Sequence, residues 1–375
     1  MRRRALLLGA VPALSRGLLL GALPALSRGQ SADDDAIVAG RALRWPRDHG
    51  AHPGARNEWW YATGWLGDEA APIGFQITFF RHRTGLAQTL PGRFAPRQLL
   101  FAHAALSDIA AGSHLQAQCT QRWSGDEGDA ALHALRSDTD VRIGRWWLRR
   151  EAAAEAGRYR AEVGGADAPF ALRIELDATQ PLLLQGQAGY SRKGPLPQQA
   201  SLYYSLPQLR VHARVERHAH TRELAGHGWL DHEWSDETLP PGAVGWDWCG
   251  IDLDDGGALM AFRLRRPDGS AVWSGGTHRS ADGRVRTFAD GELRFTPQRI
   301  WTSPATQARY PVQWQLDTPL GSFGLRALMD AQELDGGASN GAVYWEGLSD
   351  LVDAGGRRVG RGYLEMTGYA KPLVM

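Results

Sequence analysis

Apolar residues along this chain recur mainly with the two-residue period of β-strands. In the second half, WDWCGIDL (246–253), ALMAFRLR (258–265), AVWSGGTH (271–278) and RVRTF (284–288) have strand length. Asp255-Gly256, Asp268-Gly269 and Asp282-Gly283 separate them. Asp-Gly between apolar runs is a hairpin signal, so the segment predicts an antiparallel meander. Further strands are expected at about 312–318, 342–348 and 361–369. Six or seven such strands should close into a barrel or sandwich, because closure removes exposed edges. The first half repeats the pattern in EWWYATGWL (58–66), IGFQITFFRH (73–82), LLFAHAALSD (99–108), HLQAQCTQRW (114–123), VRIGRWWLRR (141–150) and FALRIELD (170–177). Helical periodicity is scarce. Short helices are expected only at QASLYYSL (199–206) and LRALMDAQEL (325–334). The fold class is therefore all-β with few short helices.

Asn57-Glu58-Trp59 near the start of the first half resembles His232-Glu233-Trp234 near the start of the second. Each precedes a glycine-punctuated run of strands. The echo suggests two similar β-domains in tandem, 32–225 and 226–375, with the boundary after the charged VERHAHTREL stretch.

Composition changes the picture in three ways. The net charge is +1, which gives no field for nucleic acid or an anionic membrane surface, so no nucleic-acid partner is expected. Fifteen tryptophans and 45 glycines favour strands and tight turns. The start, MRRRALLLGAVPALS, has a basic region followed by an apolar run, the form of a targeting segment. Arg2, Arg3 and Arg4 also suit a twin-arginine signal, so a periplasmic or secreted location is expected. LLLGAVPALSRG from Leu6 recurs from Leu18 as LLLGALPALSRG, and Arg16 interrupts the apolar run, so no clean membrane span results. Residues 1–31 are set apart from the fold. Cys119 and Cys249 could form one bridge in an exported protein, but two separate buried thiols are the favoured reading.

GHGWLDHEWSDE (226–237) concentrates tryptophans, histidines and carboxylates. On a strand, Leu230, His232 and Trp234 share one face, while Trp229, Asp231 and Glu233 share the other. On the next strand Asp247 shares a face with Cys249, Ile251 and Leu253. If that face lines a barrel interior, desolvation would make Asp247 a general acid. A buried Asp held by backbone N–H groups or an arginine is the alternative. Glu58, between tryptophans, could be an acid or could clamp an arginine from a neighbouring strand, and the clamp is favoured. Trp229, Trp234, Trp246 and Trp248 could line one cavity, where indole faces suit polyene or isoprenoid chains and a developing cation. The alternative is a tryptophan-rich core. His212, His218, His220, His227 and His232 cluster in sequence, but His227 and His232 face opposite ways on one strand and no HExxH is present. No metal or other cofactor is expected. The absence of GxSxG, of a Walker loop and of a dinucleotide fingerprint disfavours serine-hydrolase, nucleotide and nicotinamide chemistry.

NEWWYATGWL (57–66), GFQITFFR (74–81), FAHAALSD (101–108), GHGWLDHEWSDE (226–237), WDWCGIDLDDG (246–256), YWEG (344–347) and GYLEMTGY (362–369) together resemble the AttH-like branch of the carotenoid 1,2-hydratase family. The resemblance implies two lipocalin-like antiparallel β-barrel or sandwich domains. It implies acid-catalysed addition of water to an isoprenoid double bond, a hydro-lyase activity with a hydrophobic small molecule as ligand. Asp247 would be the proton donor, with Glu58 a second candidate acid. His232 would hold the water, and Trp234 or Trp248, with Trp229, Trp246 and Trp60, would cradle the ligand. The other reading is a non-catalytic periplasmic carrier of a lipid-like ligand serving a membrane transporter.

Overall fold

The computed structural model describes residues 35–373 apart from 87, 91, 93, 152–156, 218, 219 and 238. The expected targeting segment, 1–31, lies outside the described residues. The first sheet contains β1 (Asn57–Leu66), β2 (Ile73–Arg83), β3 (Gln98–Asp108), β4 (Ser113–Trp123), β5 (Leu132–Ala134), β6 (Asp140–Ile143), β7 (Trp146–Glu151), β8 (Arg158–Gly164), β9 (Ala171–Asp177), β10 (Leu183–Leu184), β11 (Tyr190–Arg192), β12 (Ala200–Arg217) and β13 (His220–Ser235). The second contains β14 (Gly245–Leu253), β15 (Ala258–Arg265), β16 (Ala271–Arg279), β17 (Val285–Phe288), β18 (Arg294–Thr302), β19 (Arg309–Thr318), β20 (Gly321–Ala327), β21 (Glu333–Asp335), β22 (Val343–Val352) and β23 (Arg358–Thr367). Among the described residues there is no α-helix, only a 3-10 turn at Arg47–His49.

The first sheet runs β4-β3-β2-β1-β13-β12-β9-β8-β7-β6-β5, with β10 and β11 paired to β12. Its ends approach each other, β3 and β4 against β6, so it curls into a nearly closed barrel. The second runs β17-β16-β15-β14-β23-β22-β20-β19-β18, with β21 paired to β22, and forms a half-barrel. All the strand pairs are antiparallel, as the Asp-Gly punctuation predicts. Each sheet has its own apolar interior, and a third cluster, including Tyr61, Tyr203, Trp229, Trp248 and Tyr363, packs the two sheets against each other.

Strand sequences follow from which faces are buried. On β9, Leu172, Ile174 and Leu176 point into the barrel while Arg173, Glu175 and Asp177 alternate outward. On β1, Trp60, Ala62 and Leu66 point into the barrel, whereas Tyr61 and Trp65 pack toward the second sheet. Both faces of β1 are buried, so its sequence is nearly continuously apolar. The same situation hides β12 from a periodicity argument. QASLYYSL is strand, not helix, with Tyr204 and Tyr203 on opposite buried faces. LRALMDAQEL is likewise not helical; it spans the end of β20, a turn and the start of β21. The run 141–150 is a hairpin rather than one strand, because Gly144 adopts φ +61° and turns the chain between β6 and β7.

The expected domain boundary at 225/226 falls inside β13, which pairs with β1 and β12 of the first sheet. The first sheet therefore runs through Ser235. The two similar tripeptides are not the starts of repeated units. They lie across from each other in one antiparallel pair, Glu58 opposite Trp234, Trp59 opposite Glu233 and Trp60 opposite His232. The glycines of GHG serve this pairing. Gly64 lies opposite Gly228, and a Cβ on Gly64 would meet the His227 carbonyl oxygen at 2.1 Å.

Cys119 sits on edge strand β4 and Cys249 in the interior of the second sheet, both as free thiols. Burial pushes each thiol up to about 12. Both should alkylate after denaturation without reductant, while Cys249 resists labelling in the native protein. Mass spectrometry of the labelled protein checks this.

Candidate active site

Strand parity on β13 separates two polar groups of opposite character. Toward the barrel interior, Glu58 accepts hydrogen bonds from Arg81 Nε at 2.6 Å, His52 Nδ1 at 2.7 Å and His232 Nε2 at 2.9 Å. His52 Nε2 lies 3.0 Å from Asp48, and His232 Nδ1 lies 3.2 Å from the Tyr204 hydroxyl. Trp234 stacks on His52 at 3.7 Å between centroids, and Trp60 stacks on His232 at 4.7 Å. Burial would raise the Glu58 carboxyl, but the Arg81 guanidinium, then His52 and the His232 hydrogen bond, hold it well below the usual range. Burial lowers His232 to about 4. His52, Glu58 and His232 offer donor atoms within 4.8 Å of one another, a spacing a metal ion could use. Arg81 on the same carboxylate already neutralises it and would repel a cation, so the group fits a buried ion-pair network better.

Asp247 is equally removed from open space. It accepts from Arg263 Nε at 2.7 Å and from the Tyr369 hydroxyl at 2.9 Å, with Arg265 Nε at 3.7 Å. Its expected face, with Cys249 and Ile251, is the interior of the second sheet. The arginine-held alternative is the observed one. Asp247, His232 and Glu58 thus do not converge: the last two touch each other inside the barrel, and none lines the cavity described next.

That cavity lies between the two sheets and encloses about 1000 Å³ including its open mouth. The first sheet contributes Trp59, Tyr61, Phe80 and Tyr203, and the second Trp246, Trp248, Phe262 and Tyr344. Of the five expected ligand-binding tryptophans, Trp246 and Trp248 line it. Trp229 packs behind it, its ring edge-on to Trp248 at 6.4 Å, and Trp60 and Trp234 point the other way into the barrel.

Five carboxyl groups line the cavity: Asp231, Glu233, Glu237, Glu346 and Glu365. Asp231 accepts from Ser205 Oγ at 2.5 Å, Trp229 Nε1 at 2.6 Å and the Tyr203 hydroxyl at 2.7 Å. These bonds favour its ionised form, yet burial raises it to about 7. Glu233 accepts from Ser201 and pairs with Lys193 Nζ at 2.9 Å. Glu346 and Glu365 are direct cross-strand neighbours on β22 and β23. Glu346 is 2% exposed, and neither of its oxygens has a hydrogen-bond partner of good geometry, although the Tyr61 hydroxyl faces it. Burial and then the charge of Glu365 raise Glu346 well above the usual range. Glu365, partly open to the cavity, is raised to about 7, mainly by burial.

The sequence placed Asp231 and Glu233 together on the face opposite His232 but did not show that this face is the open one. Glu346 and Glu365 were missed. Their signal is a lone carboxylate amid the apolar residues of YWEGL and GYLEMT.

Two antiparallel β-sheets, one a nearly closed barrel and one a half-barrel, thus enclose an acid-lined aromatic cavity between them. The chain belongs to the AttH-like family, whose profile matches residues 36–369. A crystal structure of a protein assigned to AttH from Nitrosomonas europaea is 45% identical, with TM-score 0.80, and the match covers 89% of this chain and 99% of that one. Kievitone hydratase from Nectria haematococca shares the fold at 17% identity and TM-score 0.64, over 89% of this chain and 94% of its own. CghA does so at 12% identity and TM-score 0.51, over 90% and 97%. Comparison of the sequence with curated proteins returns no match.

The two polar groups predict opposite effects of mutation and pH. Glu58→Ala leaves Arg81 buried and uncompensated, and should cost about 3–5 kcal/mol in a denaturant titration. Because His232 falls to about 4, below its ordinary 6.5, its contribution is complete above pH 6.5 and is lost as pH falls toward 4. Asp231 runs the other way. It rises from 3.8 to about 7, so its contribution is complete below pH 3.8 and is lost as pH climbs through 7. Asp231→Asn should therefore gain stability relative to the parent between pH 4 and pH 8, by at most about 4 kcal/mol, measured by denaturant titration at both pH values.

Proposed function

We propose that the protein binds an apolar unsaturated small molecule, isoprenoid, polyene or lipid-like, in the cavity between the sheets, and promotes addition of water to one of its double bonds. The observation that carries this reading is the contrast between the carboxyl groups on the two cavity walls. Glu346, with no strong donor and Glu365 beside it, is suited to stay protonated at neutral pH and to act as an acid. Asp231, held by three donors, is suited to accept a proton. The acid's proton adds to one alkene carbon, and the π electrons form the new C–H bond. The cation left on the other carbon faces Trp246, Trp248 and Tyr344, whose rings stabilise positive charge. Water adds to that carbon and gives its proton to Asp231.

Membership of a family whose fold is shared with a hydratase supports the chemistry. The arginine-rich start supports a site of action outside the cytoplasm. A carrier that serves a transporter would use the same cavity without turnover.

The test is incubation with a panel of isoprenoid and polyene alcohols in oxygen-18-labelled water, with mass spectrometry of the recovered ligand. Gain of one labelled water is expected. Glu346→Gln and Asp231→Asn should each slow it by at least about a hundredfold, the lower scale for losing a positioned acid or base. Trp248→Ala should weaken binding by about 1–3 kcal/mol, read by saturable quenching of Trp fluorescence. Trp234→Ala should leave affinity unchanged, since its ring lies inside the barrel. Retained ligand of unchanged mass in every variant would establish carriage instead.

A further inference from the structure

Lys193 is the one basic side chain among the described residues that line the cavity, set against five carboxyl groups. It directly follows β11, and its backbone N–H donates to the Gln199 carbonyl at 2.7 Å. That bond closes the loop between β11 and β12 and fixes where the side chain starts. The half-buried stem reaches Glu233 on β13, with Nζ 2.9 Å from Oε1. The same Nζ lies 4.1 Å from the Phe262 ring centroid and 5.1 Å from that of Tyr203. Phe262 belongs to the second sheet and Tyr203 to the first, so the ammonium stands between the two.

An ammonium carries three N–H donors and no acceptor. Glu233 is shared, since it also accepts from the Ser201 hydroxyl. The two rings attract the charge through their faces but leave donor capacity over. Ser235 follows Glu233 by two residues on the same face of β13 and also lines the cavity. It is 2% exposed, and its hydroxyl has no hydrogen-bond partner among the described residues. A buried polar group without a partner costs free energy that a bound oxygen atom would recover. Glu237, two residues further along β13's direction, is exposed, so this wall of the cavity is the one nearest the mouth. Charge decides what kind of oxygen fits. Glu233 already neutralises Lys193, and the other four carboxyl groups line the same space. A carboxylate or phosphate ligand would meet them without a free cation to offset its charge, whereas a hydroxyl or carbonyl oxygen accepts from the ammonium and adds no charge.

We propose that Lys193 anchors a neutral oxygen function, a hydroxyl or a carbonyl, at one end of the ligand. The cavity then takes an oxygenated isoprenoid or polyene in preference to a hydrocarbon or an acid. This inference rests on the reading of the cavity as the site of an apolar unsaturated ligand. Asp231 precedes Glu233 by two residues on β13, roughly 7 Å along the strand. An oxygen held at Lys193 near the mouth therefore leaves the carbon chain to run inward past Asp231.

The experiment compares three retinoid probes by saturable quenching of Trp fluorescence, since Trp246 and Trp248 line the cavity. Retinol carries a hydroxyl, anhydroretinol is a hydrocarbon, and retinoic acid carries a carboxylate. The parent should bind retinol at least about tenfold tighter than either of the others, the scale of one hydrogen bond to a charged group. Lys193→Met keeps the stem and loses the ammonium. It should lower retinol affinity by about tenfold or more, to the level of anhydroretinol, whose own affinity should hold. The single variant leaves Glu233 without its cation. Lys193→Met combined with Glu233→Met replaces the pair by apolar side chains, a change that folds tolerate well, and decides the matter if the single variant does not fold. A preference for retinol that survives in the double variant shows that Lys193 only neutralises Glu233, and overturns the anchor. Equal binding of retinol and anhydroretinol by the parent, or tighter binding of retinoic acid, also overturns it and leaves the apolar cavity in place. Absence of saturable quenching by all three probes overturns the reading of the cavity itself, and the anchor with it.

Discussion

The antiparallel pairing of β1 with β13 is the constraint on which the rest of the structure depends. From Gly228 to Ser235, β13 is buried on both faces, as is most of β1 opposite it, one face in the barrel and the other against the second sheet. A strand in that position cannot shift by one residue without exchanging its two sets of side chains. The register that sets Glu58 opposite Trp234 also sets Tyr61 opposite Asp231. Locking the inner network therefore places the cavity carboxyl on the outer face.

The inner network provides that lock. Glu58, Arg81, His52 and His232 are fully buried and mutually hydrogen-bonded, and removing one partner leaves an uncompensated charge. Such a network is fully satisfied in one arrangement of the two strands, which favours that register over its neighbours. The second sheet has a counterpart in Asp247, held by Arg263 and Tyr369. In both sheets the fully paired carboxylates point into the interiors, while less well-compensated ones, Asp231, Glu346 and Glu365, face the space between. Desolvation without full pairing raises all three, Asp231 and Glu365 to about 7 and Glu346 well above the usual carboxylate range, so burial between the sheets keeps these carboxyl groups from ionising as readily as exposed ones.

Much of the architecture was legible in the chain. The Asp-Gly turns and two-residue alternation determined an antiparallel all-β fold and most of its strands, because these signals are local: a turn needs only its own residues, and alternation needs only one apolar face. The parity of GHGWLDHEWSDE also correctly set His232 and Trp234 apart from Asp231 and Glu233. Tertiary structure decided which face of each strand opens on the cavity. Asp247 and Asp231 both look, in sequence, like carboxylates amid apolar residues. Only the packing shows an arginine against the first and a cavity beside the second, since Arg263 lies on another strand and the cavity exists only where two sheets meet. For the same reason, the likeness of Asn57-Glu58-Trp59 to His232-Glu233-Trp234 suggested a repeat along the chain, whereas the fold uses it as a pair across strands. Which segments lie side by side depends on contacts between residues far apart in the chain, and no local pattern records them.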